Sequence, residues 1–227
     1  MLVGHCAVAF AGKRLEPQLS LGTLMAAAVL ADLLTFVFIL VGLEHWTINP
    51  GKTGIYALEL DRVAWSHGLL PDVLWAGIFA GGYFLWRRHA AGAWLLFAAV
   101  LTHWILDWIS HRPDMPLAPG LDGRYGLGLW TSVPATLIVE GGLWLIALVV
   151  YVRATRATKR TGIYIFWLVV AFLALSWINN ITATPRAGET LTIAAISSLT
   201  FFTLLVAWAY WMDRVRTPEC QTFSLVK

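Results

Sequence analysis

Charged side chains are scarce in this chain. Asp, Glu, Lys and Arg make up 13% of its 227 residues, against 59% hydrophobic ones. Soluble domains carry about 25% charged residues, and a mean hydropathy of +0.70 removes the chain from that class. It reads as an integral membrane protein. Cysteine is nearly absent: Cys6 and Cys220 lie far apart with no CxxC companion, which argues against a thiolate metal site or a redox pair. Strand-like alternation is missing from the long apolar runs, several of which are rich in Ala and Leu, so helices are expected. The basic-then-apolar order of a secretory signal is missing too, since Lys13 and Arg14 follow a short apolar run rather than precede it. No repeat or low-complexity tract is evident, and a net charge of +3 calls for no nucleic-acid partner.

What the chain has is length of apolar sequence. Crossing the ~30 Å hydrocarbon layer takes about 20 residues, and runs of that size fall at 20–43, 64–86, 92–111, 130–152, 163–182 and 190–212. The first 12 residues are apolar but too short to span, and a half-inserted or surface helix is expected there. Basic residues set the orientation, because cytoplasmic loops are enriched in Lys and Arg. With the N-terminus inside, Lys13, Arg14, Arg87, Arg88, Arg153, Arg156, Lys159, Arg160, Arg214, Arg216 and Lys227 lie on the inner side. Only Lys52, Arg62, Arg112, Arg124 and Arg186 lie outside. The predicted fold is therefore all-α: one polytopic membrane domain over 1–227, about six transmembrane helices, both termini cytoplasmic. Residues 1–115 carry the polar motifs, and the helices in 130–212 look like scaffold. Of two long outer loops, 44–63 and 112–129, the second is rich in Pro and Gly, and Pro113 is placed to end the third span.

The polar residues inside these runs are few, and an ionisable group in a membrane segment is costly enough to suggest a function. His103, Asp107 and His111 are spaced i, i+4, i+8 and share one helical face, climbing from mid-bilayer to the outer interface. His67 begins the second span, Asp32 lies in the middle of the first, and Glu140 sits within the fourth. Imidazoles and carboxylates are the ligands of a catalytic zinc or a harder divalent metal ion. His103 and Asp107 can grip one ion from a single helical turn, with Asp32 and His67 reaching it from neighbouring helices and a position left for water. The plainer explanation is a buried polar network that fixes helix register without chemistry, and for His111, beside Arg112 at the interface, it is the stronger one. Glu44 and His45 read as interfacial polar residues. Glu140 needs a partner at its depth and is a candidate base, ligand-supporting group or proton carrier. Arg112 and Arg124 flank the glycine-rich loop and suit bidentate contact with phosphate or carboxylate, or are ordinary loop arginines.

Taken in order, Gly4-His5, Asp32, Ser66-His67-Gly68 and His103 through Asp107 resemble the motifs of the YdjM-like family of bacterial inner-membrane proteins. These are described as LexA-binding and inferred to be metal-dependent hydrolases. The resemblance covers roughly the first 115 residues. It implies residence in the bacterial inner membrane and adds His5 to the metal set, provided residues 1–12 insert into the bundle. The chain departs from the family where an Asp-x-Asp-His element would follow the first span, since Leu33, Leu34 and Thr35 follow Asp32. A His-Arg-Gly element is likewise replaced by Arg62-Val63-Ala64. One metal is more in keeping with these losses than two.

Three functions are then in competition. The first is a membrane-embedded metal hydrolase acting on a lipid-like or phosphoester substrate near the outer leaflet. The second is a proton-coupled carrier using Asp32, Asp107, His103 and Glu140, although no inverted repeat supports it. The third is a non-catalytic membrane subunit held together by its polar core, with membrane lipids as its only evident partner.

Overall fold

A computed structural model describes residues 1–48, 58–182 and 190–219. Lys52, Arg186, Cys220 and Lys227 lie outside the described residues. Among the described residues, five helices are long and apolar enough to cross a membrane: α4 (Leu69–Arg87), α5 (Ala90–Ser110), α6 (Val133–Ala154), α7 (Arg160–Thr182) and α8 (Leu191–Met212). They match five of the expected spans to within a few residues. The chain is an all-α membrane helix bundle.

The remaining expected span is broken. Helices α2 (Leu21–Ala28) and α3 (Leu30–Leu40) meet at Val29 with a bend of 57°. The sequence carries neither Pro nor Gly at the break. What holds the bend is tertiary: the Ala28 carbonyl, at the last turn of α2, accepts a hydrogen bond from His103 Nδ1 of α5 (2.9 Å).

Helix α1 (Leu2–Leu15) is neither half-inserted nor on the surface. It is buried along most of its length, packing against α6, α2 and α5. Its first turn is held by Glu140 of α6, whose Oε1 accepts from the backbone amides of Val3 (3.1 Å) and Gly4 (3.2 Å). A carboxylate on the free amides of a helix N-terminus is a favourable pairing. The other end of α1 is tied to the basic end of the bundle, where Lys13 donates to the Leu19 carbonyl (2.6 Å) and to Asp213 Oδ1 (3.0 Å).

Local chemistry explains several helix ends. Ser20, Ser132 and Thr190 cap α2, α6 and α8 by accepting from the amides of Thr23, Ala135 and Ile193. Arg88 takes a left-handed conformation (φ 53°), closing α4 so that α5 returns antiparallel against it. Among the described residues, three short antiparallel ladders, which the apolar runs gave no reason to expect, lie between the helices: β1 (His45–Ile48) with β2 (Leu58–Arg62), β3 (Met115–Pro116) with β4 (Arg124–Tyr125), and β5 (Thr155–Ala157) with β6 (Arg216–Pro218). The glycine-rich loop folds back on the end of α5, where Leu127 N donates to Trp108 O (2.8 Å) and Gly128 N to His111 O (2.7 Å). Gly126 is required there, because a Cβ on it would stand 2.1 Å from the Arg112 carbonyl oxygen.

Candidate metal centre

The break in the first span places Asp32 in the first turn of α3, facing α5. From α5 come His103 and Asp107, one turn apart and both buried, and His67 enters from the segment just before α4. His103 Nε2 lies 3.2 Å from Asp107 Oδ2 and 3.9 Å from Asp32 Oδ1. His67 Nε2 lies 3.6 Å from Asp107 Oδ2 and 3.8 Å from Asp32 Oδ1. These four residues, drawn from three separate stretches of chain, converge as the sequence suggested.

Which ring nitrogen faces the centre follows from the other nitrogen. His103 Nδ1 meets a backbone carbonyl, which can only accept, so Nδ1 carries the proton. His67 Nδ1 lies 2.9 Å from Thr35 Oγ1 and 3.0 Å from Ser66 Oγ. Ser66 spends its hydroxyl proton on Glu44 Oε2 (2.6 Å), and Thr35 can direct its own to the Ala31 carbonyl (3.0 Å). Both hydroxyls are thus free to accept from His67 Nδ1. Each histidine therefore turns Nε2 to the centre, and in the neutral ring that atom is a lone pair. His103 Nε2 is buried and has no hydrogen-bond partner among the described residues.

Lone pairs and carboxylate oxygens facing one another repel unless a proton or a cation lies among them, and the Met1 ammonium meets only the Oδ1 side of Asp107. The four distances, 3.2 to 3.9 Å, exceed the 2.7–2.9 Å of a charge-assisted N–H···O bond. Zinc bonds of about 2.0–2.2 Å would set tetrahedral neighbours about 3.3–3.6 Å apart; the two distances to Asp107 Oδ2 lie near that range, and the two to Asp32 Oδ1 are longer. Two overlapping sets of buried or half-buried side chains could hold a metal ion: Asp32, His67 and His103, and His5, His103 and Asp107.

His5 does reach this region, carried there by the inserted α1. Its ring stacks on that of His103 (centroids 3.7 Å apart, 7° between planes), and its Nε2 lies 3.1 Å from Asp107 Oδ1. The α-amino group of Met1 also donates to that oxygen, at 2.6 Å. Asp107 is thus divided, with Oδ1 turned to α1 and Oδ2 to His67 and His103.

Other expectations fare differently. His111 joins neither set; its Nδ1 pairs with Asp114 Oδ1 (3.1 Å) and its ring lies against Trp130. Glu140 is occupied with the backbone of α1 and does not line the cavity beside the centre. Arg112 does line that cavity, with Nε on Asp114 Oδ2 (3.2 Å). Arg124 is not among the cavity's lining residues and donates to the Asp114 carbonyl across the β3–β4 ladder (3.1 Å).

Sequence reasoning missed three things. Glu44, read as interfacial, is buried: its Oε1 accepts from the amides of Trp65 and Ser66, and its Oε2 from the Ser66 hydroxyl. Burial pushes this carboxyl above its usual range, against the downward pull of those three bonds. Asp72 in α4 is 1% exposed, and neither carboxylate oxygen has a partner among the described residues; its place in an apolar run was the same signal that singled out Asp32. Finally, α7 and α8 are more than scaffold. They form a wall of a cavity of about 910 Å³ that Asp32, His67 and Asp107 also line.

Compared with protein-family models, curated proteins and solved structures, the chain matches none.

Proposed function

We propose that this protein is a membrane-embedded, metal-dependent hydrolase, with Asp32, His67, His103 and Asp107 as ligands of one divalent ion, zinc by the mix of imidazole and carboxylate donors. The carrying observation is the meeting of two histidine Nε2 atoms with two carboxylate oxygens at 3.2 to 3.9 Å. A divalent ion there would lower the pKa of a bound water and polarise a substrate oxygen. The chain's own groups do the rest. His67 and His103 are held in the ligating tautomer by their Nδ1 partners, and Asp32, the most open of the four, borders the cavity and would hold the ion on its open side.

Charge distribution puts the centre toward the outer face, where α5 ends and Arg112 meets the cavity. A lipid-like or phosphoester substrate suits a water-accessible cavity inside an apolar bundle. Residence in the bacterial inner membrane and kinship with the YdjM-like hydrolases rest on the short motifs alone.

The deciding measurement is the metal-to-protein ratio after extensive dialysis. Near-stoichiometric zinc is expected in the wild type and in Arg88→Ala, a variant at the basic end, with loss in Asp107→Asn and His103→Ala. Equal, near-zero ratios in all four would overturn the metal reading in favour of a structural polar core or a proton carrier built on the same residues.

A further inference from the structure

We propose that the slot between α7 and α8 is the substrate's binding groove. It would admit a phosphoester lipid sideways from the membrane, with the acyl chain between the two helices and a hydroxyl-bearing headgroup reaching the metal centre. The proposal rests on the hydrolase reading and names its substrate class.

Five polar side chains interrupt these otherwise apolar helices on the cavity side: Ser176, Asn179 and Asn180 of α7, and Ser197 and Ser198 of α8. Helices of mean hydropathy 2.1 and 1.9 do not turn amides and hydroxyls to hydrocarbon without cost, and such groups belong on a water-filled or ligand-filled surface. They are neutral and can both donate and accept, which suits headgroup hydroxyls. Beside them Phe172, Phe201 and Phe202 present an apolar face to the same cavity. A pocket of about 910 Å³ lies in the range of small-molecule sites, about 300–1,000 Å³, and well above what a metal and its water need.

The backbones of α7 and α8 stay apart, and the helices meet through rings, Phe166 on Trp208 (6.5 Å) and Phe172 on Phe201 (6.0 Å), with Ser176, Asn179, Asn180, Ser197 and Ser198 on the cavity side beyond the second pair. Helix α8 packs on α2 and α3, and α7 touches α1, so the slot between their backbones is filled only by side chains. Their outer faces carry exposed Leu168, Leu175 and Ile178 on one side, and Ile193, Ile196 and Leu204 on the other. An amphiphile entering between them would keep its chain in apolar surroundings throughout.

The test is photolabelling of the full chain in phosphatidylcholine nanodiscs. The probe is a trace of phosphatidylglycerol carrying a diazirine in one acyl chain, with labelled peptides located by mass spectrometry. Labelling is expected to concentrate on 172–180 and 197–202, roughly tenfold above the lipid-exposed face of α4. Ser198→Trp, which fills the groove, should abolish that excess. Asn180→Leu, at an exposed position that threatens folding little, should lower labelling by this probe but not by a diazirine-tailed diacylglycerol, which has no phosphoester headgroup. Even labelling of α4, α7 and α8, or an excess that neither variant changes, overturns the groove. Stoichiometric zinc together with even labelling removes the groove and leaves the hydrolase reading. Strong groove labelling in a metal-free wild type removes the hydrolase and leaves a lipid site.

Discussion

The histidines of the centre are aimed by what their far nitrogens touch. His103 leans on the Ala28 carbonyl, freed at the break in the first span. His67 leans on Thr35 and Ser66, and Ser66 in turn on the buried carboxylate of Glu44. Removing such an outer partner typically costs 10–100-fold in metal affinity. Ser66→Ala is therefore expected to weaken zinc binding by about that factor in competition with a chelator, with all four ligands still present. Wild-type affinity in Ser66→Ala would mean that His67 is not held for a metal in this way. The pairing of His103 with Asp107 was legible from i, i+4 spacing, because both lie on one helix. Glu44 was not legible: its burial depends on the 65–66 backbone folding onto it, and no local pattern announces that. Glu140 was legible as a carboxylate in need of a partner, but the partner is the backbone of a helix more than a hundred residues away.

Among the elements, the broken first span and the inserted α1 matter most for the site. A continuous helix over 20–43 would have kept the Ala28 carbonyl in its own ladder, away from His103. Insertion of α1 brings His5 onto His103 and Asp107, and Glu140 anchors it. Hydropathy sees an apolar run of 12 residues as too short to cross a membrane, and has no means of showing that other helices enclose it. The glycine-rich loop has its own requirement at Gly126, whose Cα sits against the carbonyls of His111 and Arg112. Gly126→Ala must push that loop away from the end of α5, at a cost of about 1–3 kcal/mol by analogy with overpacking. The expected result is a lower thermal midpoint in detergent, with zinc content unchanged because His111 and Arg112 belong to neither candidate metal-binding group. A midpoint equal to wild type would show that the loop yields freely.

For the whole molecule, the separation of the two ends decides which side of the membrane the cavity serves. Lys13 meets Asp213 at one end, and Arg112 meets Asp114 near the other, beside the cavity. Reporter fusions should read inside at Arg160 and outside at Gly123. The same side for both would sink the outward-facing site, whatever its metal content. The cavity also changes the meaning of the second half of the chain. Its polar residues are dispersed along α7 and α8, and only the placement of those helices on either side of the centre gathers them into one surface.

The amino-acid sequence alone determined that the chain is a helical membrane bundle, where five of its spans run, and that His103 and Asp107 share a face. Hydropathy over a window and the helical repeat are local quantities, and neither depends on what packs against what. The tertiary structure decided the break at Val29, the burial of α1, the division of the carboxylates between those that face His67 and His103 and those that hold backbone amides, and the cavity wall. These depend on contacts between residues distant in sequence, where a carbonyl, an amide or a lone pair acquires its partner only once the helices have packed.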